Sequence, residues 1–178
     1  RSIDDQRVLA VKSGFKKRVP GRVLGVSKTG SITYIQPESD GVVLVSKIRE
    51  ALKDNTLLVS LQYVNNEIGT IQKIEEVAKA IRHFKKQIGR NLIDSSYPYL
   101  HTDACQAPVF LEVNTERLHV DLLTLDGGKM YGPRGAGVLF IKRGAQIDPI
   151  LLGGGQEKGL RSGTEVLQNA LALSEAIA

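Results

Sequence analysis

The chain has 178 residues, 42% of them apolar and 24% charged, with a formal net charge of +5. That size and apolar share suit one globular domain with a real core. No apolar run reaches the length of a membrane span, and no signal-peptide pattern opens the chain.

One cysteine, Cys105, excludes an intramolecular disulfide framework and fits a reducing compartment, so a cytoplasmic location is expected. Three scattered histidines and that cysteine form no metal-ligand pattern. His101 and Asp103, two apart, would share one face of a strand, which alone is a weak metal signature. Much of the positive excess comes from Lys12, Lys16, Lys17, Arg18, Arg22 and Lys28. Without interleaved aromatics or a recognised binding motif, this segment reads as a solvated helix face rather than a nucleic-acid patch.

In chain order, residues 3–17 are expected to form a helix, weakened at its end by Gly14. Residues 22–26 predict a short strand, and Lys28-Thr29-Gly30 a turn. Helical spacing over 46–53 places Val45, Ile48 and Leu52 on one face. LLVSLQY (57–63) predicts a buried strand, followed by the loop VNNEIGT. The clearest helix is 73–86, where Ile74, Val77, Ala78, Ile81 and Phe84 form one stripe. After the polar loop GRNLIDSSYP, strands are predicted near 99–104, 120–125 and 137–142. A glycine-rich loop, 153–163, then precedes a helix from about Thr164.

Strands separated by a helix, without hairpin turn signals, predict an α/β fold with a mostly parallel sheet and flanking helices. The chain starts at Arg1 and stops inside the helix-like run LQNALALSEAIA. Both ends look cut, so residues 1–178 are expected to be one partial domain of a longer protein.

In parallel α/β sheets, ligands bind beyond the carboxyl ends of the strands. Asn65, Asn66 and Glu67 follow the first strong strand. Asp103 ends the next, with Gln106 just beyond. Asp126, two glycines and Lys129 follow the third. Each has a plain structural alternative: Asn65 and Asn66 could shape a turn, Asp103 could cap one, Lys129 could be merely exposed and Tyr131 could pack. Together they predict an α/β enzyme with a lysine-dependent site. A lysine amine forms a Schiff base with pyridoxal phosphate, and a carboxylate facing the pyridine nitrogen keeps the ring an electron acceptor.

At these residues the chain resembles the cysteine desulfurase family of pyridoxal-phosphate enzymes, within the class V aminotransferase group. The matching segments are VSLQYVNNEIGT (59–70), HTDACQAP (101–108), VDLLTLDGGKMYGPRGAGVLFIKRG (120–144) and LLGGGQEKGLRSGTE (151–165), in the family's order and spacing. The resemblance implies the central part of the large domain of the fold-type I enzymes.

By that resemblance, Lys129 would hold pyridoxal 5'-phosphate and move the substrate's alpha proton. Asp103 would pair with the pyridine nitrogen, Gln106 would bond the ring hydroxyl, and Asn66 would contact cofactor or substrate carboxylate. Thr164 would reach the phosphate of the other subunit, implying a homodimer. Where the family usually shows Ser-Gly-His before the lysine, this chain has Asp126-Gly127-Gly128, which makes Asp126 a residue lining the cofactor.

The implied reaction takes sulfur from L-cysteine, giving L-alanine and an enzyme persulfide for iron–sulfur clusters or thio-nucleosides, passed to an acceptor or scaffold protein. Cys105 is not the implied nucleophile, because it sits inside the Asp103–Gln106 segment. A selenocysteine lyase, another class V enzyme and a non-catalytic dimeric scaffold are the alternatives. Residues 1–178 alone are expected to be poorly soluble and inactive.

Overall fold

The computed structural model describes residues 7–11, 23–26, 32–88 and 97–177. Among the described residues, seven strands form one sheet in the order β2-β3-β1-β4-β5-β6-β7. They are β1 (Arg7–Val11), β2 (Val23–Val26), β3 (Ile32–Ile35), β4 (Thr56–Gln62), β5 (Tyr99–Asp103), β6 (Leu122–Asp126) and β7 (Gly137–Ile141). The four central pairings, β3 with β1, β1 with β4, β4 with β5 and β5 with β6, are parallel. Antiparallel β2 and β7 close the two edges. The mostly parallel sheet expected from the sequence is therefore present, with a reversed strand at each margin.

Two expectations are corrected. The helix placed over 3–17 is instead the strand β1 at Arg7–Val11, lying between β3 and β4. Its sequence, RVLAV, is a short apolar run, and such runs fit a doubly buried parallel strand as well as a helix. The strand β3 was not anticipated at all. The turn at 28–30 and most of the 89–98 loop lie outside the described residues.

Helices α1 (Val45–Ala51) and α2 (Ile74–Ile88) cover one face of the sheet. Helix α2 forms because Ile74, Val77, Ala78 and Ile81 recur at helical spacing, and all four are buried. Glu75 and Glu76 in its first turn and Lys85 and Lys86 in its last suit the helix dipole. The stripe meets Ile48 of α1, Val59 and Leu61 of β4, Leu100 of β5 and Leu123 of β6 in one core. Leu44 and Gly41 lead into α1, where Gln72 ties the segment down: its amide donates to Gly41 O and accepts from Val43 N.

Because strand side chains alternate, the opposite face carries Ser60, Gln62, His101, Asp103, Thr124 and Asp126. All six are half-buried rather than sealed in the core. A single helical turn, α3 (Thr115–Leu118), capped by Asn114, returns the chain to β6. The last helix, α4 (Leu167–Ile177), begins three residues later than expected. Among the described residues, no helix is long and apolar enough to cross a membrane.

Candidate active site at the carboxyl ends of three strands

Parallel pairing brings the ends of β4, β5 and β6 side by side. Gln62 stands opposite Asp103, and Asp103 opposite Thr124. Backbone bonds continue past the strands, from Tyr63 N to Asp103 O at 2.7 Å and from Ala104 N to Thr124 O at 3.0 Å. These strand ends, with the three loops that leave them, carry every strand-end residue singled out from the sequence.

The loop after β4 separates its two asparagines. Asn65 is buried, and its Oδ1 accepts from Glu67 N and Ile68 N, both at 2.9 Å. It shapes the turn, as Asn readily does. Asn66 is thereby left exposed at the tip. It lines a cleft of about 320 Å³ together with Gln106, beside the apolar side chains of Val64, Ile71, Phe110 and Leu111. Two amides around a partly apolar cleft suit a flat, polar-edged ring.

Asp103 is half-buried at the end of β5, and its Oδ1 accepts from Cys105 N at 3.0 Å. The capping role and a ligand-facing role are compatible, since a carboxylate has room for several donors. Burial, followed by the hydrogen bond and charge of Asp103, pushes the Cys105 thiol up from 9.0 to about 12. A neutral thiol at ordinary pH is a poor nucleophile, which agrees with the expectation that Cys105 is not the sulfur-carrying nucleophile.

After β6 the chain makes one tight turn, Gly127–Lys129, capped by Asp126, whose Oδ1 accepts from Gly128 N at 2.9 Å. Asp126 thus points its carboxylate at its own turn. Gly127 is buried, and a Cβ there would meet Pro133 O at 2.9 Å, Ala136 O at 3.1 Å and Leu173 Cδ1 at 3.1 Å. Only glycine lets the backbone pass so close. At Gly128 the nearest atoms to such a Cβ are Asp126 Oδ1 at 3.4 Å and Arg134 Cγ at 3.7 Å, ordinary contacts that leave room for a side chain.

Lys129 projects from this turn and is exposed. Tyr131, two residues on, does not pack: it is 93% exposed, with φ +60°, a conformation uncommon for an aromatic residue.

Thr164 lies elsewhere. With Arg161, Ser162 and Gly163 it lines a larger groove of about 570 Å³ between β7 and α4. That groove shares no lining residue with the Asn66–Gln106 cleft. Within one chain, therefore, Thr164 is not gathered with the other candidates.

At this edge of the sheet, the two amides of the cleft, the Asp103 carboxylate at the end of β5 and the Lys129 amine after β6 make up a donor set that fits the ring of pyridoxal phosphate. Residues 17–178 match the model of the class-V aminotransferases, and the chain belongs to that pyridoxal-phosphate-dependent family.

Within the family it is similar to cysteine desulfurases. It is 38% identical over 146 residues to the putative cysteine desulfurase IscS 1 of Bacillus subtilis (strain 168), covering 82% of this chain and 35% of that protein. It superposes on a NifS-like protein with a TM-score of 0.79 at 27% identity, covering 98% of this chain and 46% of the other. A structure of SspA in complex with cysteine gives 0.76 at 27% identity, with 97% and 47% covered. The chain spans about a third of the curated relative and under half of each solved structure.

Proposed function

We propose that the protein carrying this segment is a pyridoxal-phosphate-dependent cysteine desulfurase. The observation that carries the reading is the convergence of Asn66, Asp103, Gln106 and Lys129 on the loops at one edge of the sheet. The similarity to cysteine desulfurases, and to a structure holding cysteine, supports the choice of substrate.

When bound, the cofactor supplies an electron sink for the substrate's alpha carbon. Lys129 would hold it covalently through Nζ, and its amine would carry the substrate's alpha proton. Asp103 would pair with the pyridine nitrogen and favour its protonated form, as a half-buried carboxylate at the β5 end can. Gln106 and Asn66 orient the polar edge of the ring and the substrate carboxylate. Thr164, in the separate groove, would serve the phosphate of a partner copy, which would make the working form a homodimer.

In the net reaction, the carbon–sulfur bond of L-cysteine breaks and its sulfur joins an enzyme thiol. L-alanine and a persulfide result. Cys105 is not that thiol, because its proton is held too tightly. The persulfide passes to an acceptor, such as an iron–sulfur scaffold protein, in the cytoplasm.

The test is stoichiometric. The full-length gene product, loaded with pyridoxal phosphate and given L-cysteine and a reductant, should yield alanine and sulfide in equal amounts, and Lys129→Ala should abolish both. Alanine formation by Lys129→Ala at the wild-type rate would overturn the proposal.

A further inference from the structure

His101 occupies the middle of the half-buried sheet face, two residues before Asp103 and on the same side of β5. Its Nδ1 lies 2.8 Å from Ser60 Oγ on β4, and its Nε2 lies 3.4 Å from Thr124 Oγ1 on β6. One imidazole thus ties three parallel strands together. The sequence separations are 41 and 23 residues, so neither contact is a by-product of local chain folding.

The hydroxyls are well placed for leverage on the site. Ser60 is the register partner of His101, while Thr124 is the register partner of Asp103. Thr124 also hydrogen-bonds the Cys105 side chain, and Cys105 N in turn donates to Asp103. Two residues beyond Thr124, Asp126 caps the turn that presents Lys129. A displacement of β5 against β6 is therefore felt at both the carboxylate and the lysine turn.

Stability alone gives little reason for this trio. Replacing mutually bonded polar groups by apolar ones of similar shape is close to neutral. Backbone ladders already set the register. What side-chain ties on one face add is a fixed offset between neighbouring strand ends, where an error of an ångström is costly to a ligand. Burial holds the His101 imidazole below its usual value of 6.5, more strongly than the Asp103 charge raises it. The neutral ring then has one donor and one acceptor nitrogen, and a hydroxyl can complement either.

We propose that His101 is a positioning residue: held between Ser60 and Thr124, it sets Asp103 on β5 against the Lys129 turn on β6. This rests on the reading of Asp103 and Lys129 as cofactor-binding groups.

The experiment uses the full-length gene product, with pyridoxal 5'-phosphate as the probe. It measures the dissociation constant, the pH titration of the cofactor's visible band, and thermal unfolding of the cofactor-free protein. His101→Leu is expected to weaken cofactor binding about tenfold, the usual scale for groups that orient ligand-binding side chains. It should also shift the band's titration, which a purely structural loss would not move. Ser60→Ala and Thr124→Val, which keep the fold if His101→Leu does not, should each weaken binding about fivefold, the worth of one hydrogen bond. Combining either with His101→Leu should add little. His101→Gln, which retains a donor and an acceptor, should recover part of the loss.

Variants that bind and titrate like the wild type would overturn the positioning role while leaving the site reading intact. A wild type that takes up no cofactor would overturn that reading, and this inference with it.

Discussion

The core under α1 and α2 and the β7–α4 region both carry large aliphatic side chains and leave them in opposite states. In the first, Ile48 and Val59 are 0% exposed and Leu61 and Leu100 are 1%. In the second, Ile150 is 94% exposed, Leu152 81%, Leu167 68% and Leu171 67%. Only Leu173 of α4 is buried, against the Gly127 backbone. The first region closes its own core. The second offers its apolar side chains outward while supporting the lysine turn from behind. A stable half holds the strand ends in place, and the half that builds the turn depends on further contacts.

That contrast can be broken most forcefully in the closed core. Ile48→Ala should cost about 2–5 kcal/mol by chemical denaturation, the range for emptying a buried aliphatic site. Leu152→Ala, by the same measurement, should stay within about 0.5 kcal/mol. Equal costs would erase the distinction between the regions.

The lysine turn gives a sharper test over a shorter distance. Gly127→Ala forces a Cβ against backbone oxygens and should cost about 1–3 kcal/mol. Gly128→Ala, with ordinary contacts around it, should be nearly neutral. Thermal unfolding of the two variants ranks them, and a reversed order would contradict the turn geometry.

A smaller effect concerns solution behaviour. Residues 1–178 expressed alone should self-associate through the β7–α4 surface, and replacing Leu152, Leu167 and Leu171 by serine should reduce it. Light scattering distinguishes the two chains. Unchanged association after the replacements would move the sticky surface elsewhere.

The smallest expected change follows acidification. His101 titrates below 6.5 when folded and near 6.5 when unfolded, so the unfolded chain binds the proton first. The stability that its neutral ring contributes is complete above about 6.5. It declines as pH falls through the lower folded value, with the Asp103 charge opposing the effect of burial. His101→Leu should flatten that part of the stability–pH curve.

How much of this was legible in the sequence depended on the range of the interactions. Helix α2 carries its own periodic stripe, and β4 is a long apolar run with turn residues behind it, so both could be read locally. The strand ends were legible too, since Asn66, Asp103 and Lys129 each follow a recognisable strand. RVLAV was not, because four apolar residues flanked by charges satisfy a helix as well as a strand until β3 and β4 are placed beside them. The reversal between β6 and β7 was hidden for a related reason: ten residues, 127–136, connect them, and no two-residue turn announces the pairing.

Side-chain partnerships across strands were hardest to see. Sequence spacing put His101 on the face of Asp103, but nothing in it named Ser60 and Thr124 as the groups on either side. Asp126 looked like a residue lining the cofactor, and its hydrogen bond to Gly128 N shows what else it does.

The central claim is that Lys129 is the residue that holds the cofactor. It is tested most directly by loading the full-length gene product with pyridoxal phosphate, reducing with borohydride and mapping the peptides by mass. The account predicts a pyridoxyl group on the peptide containing Lys129. A label on a different lysine, or none under saturating cofactor, would contradict it.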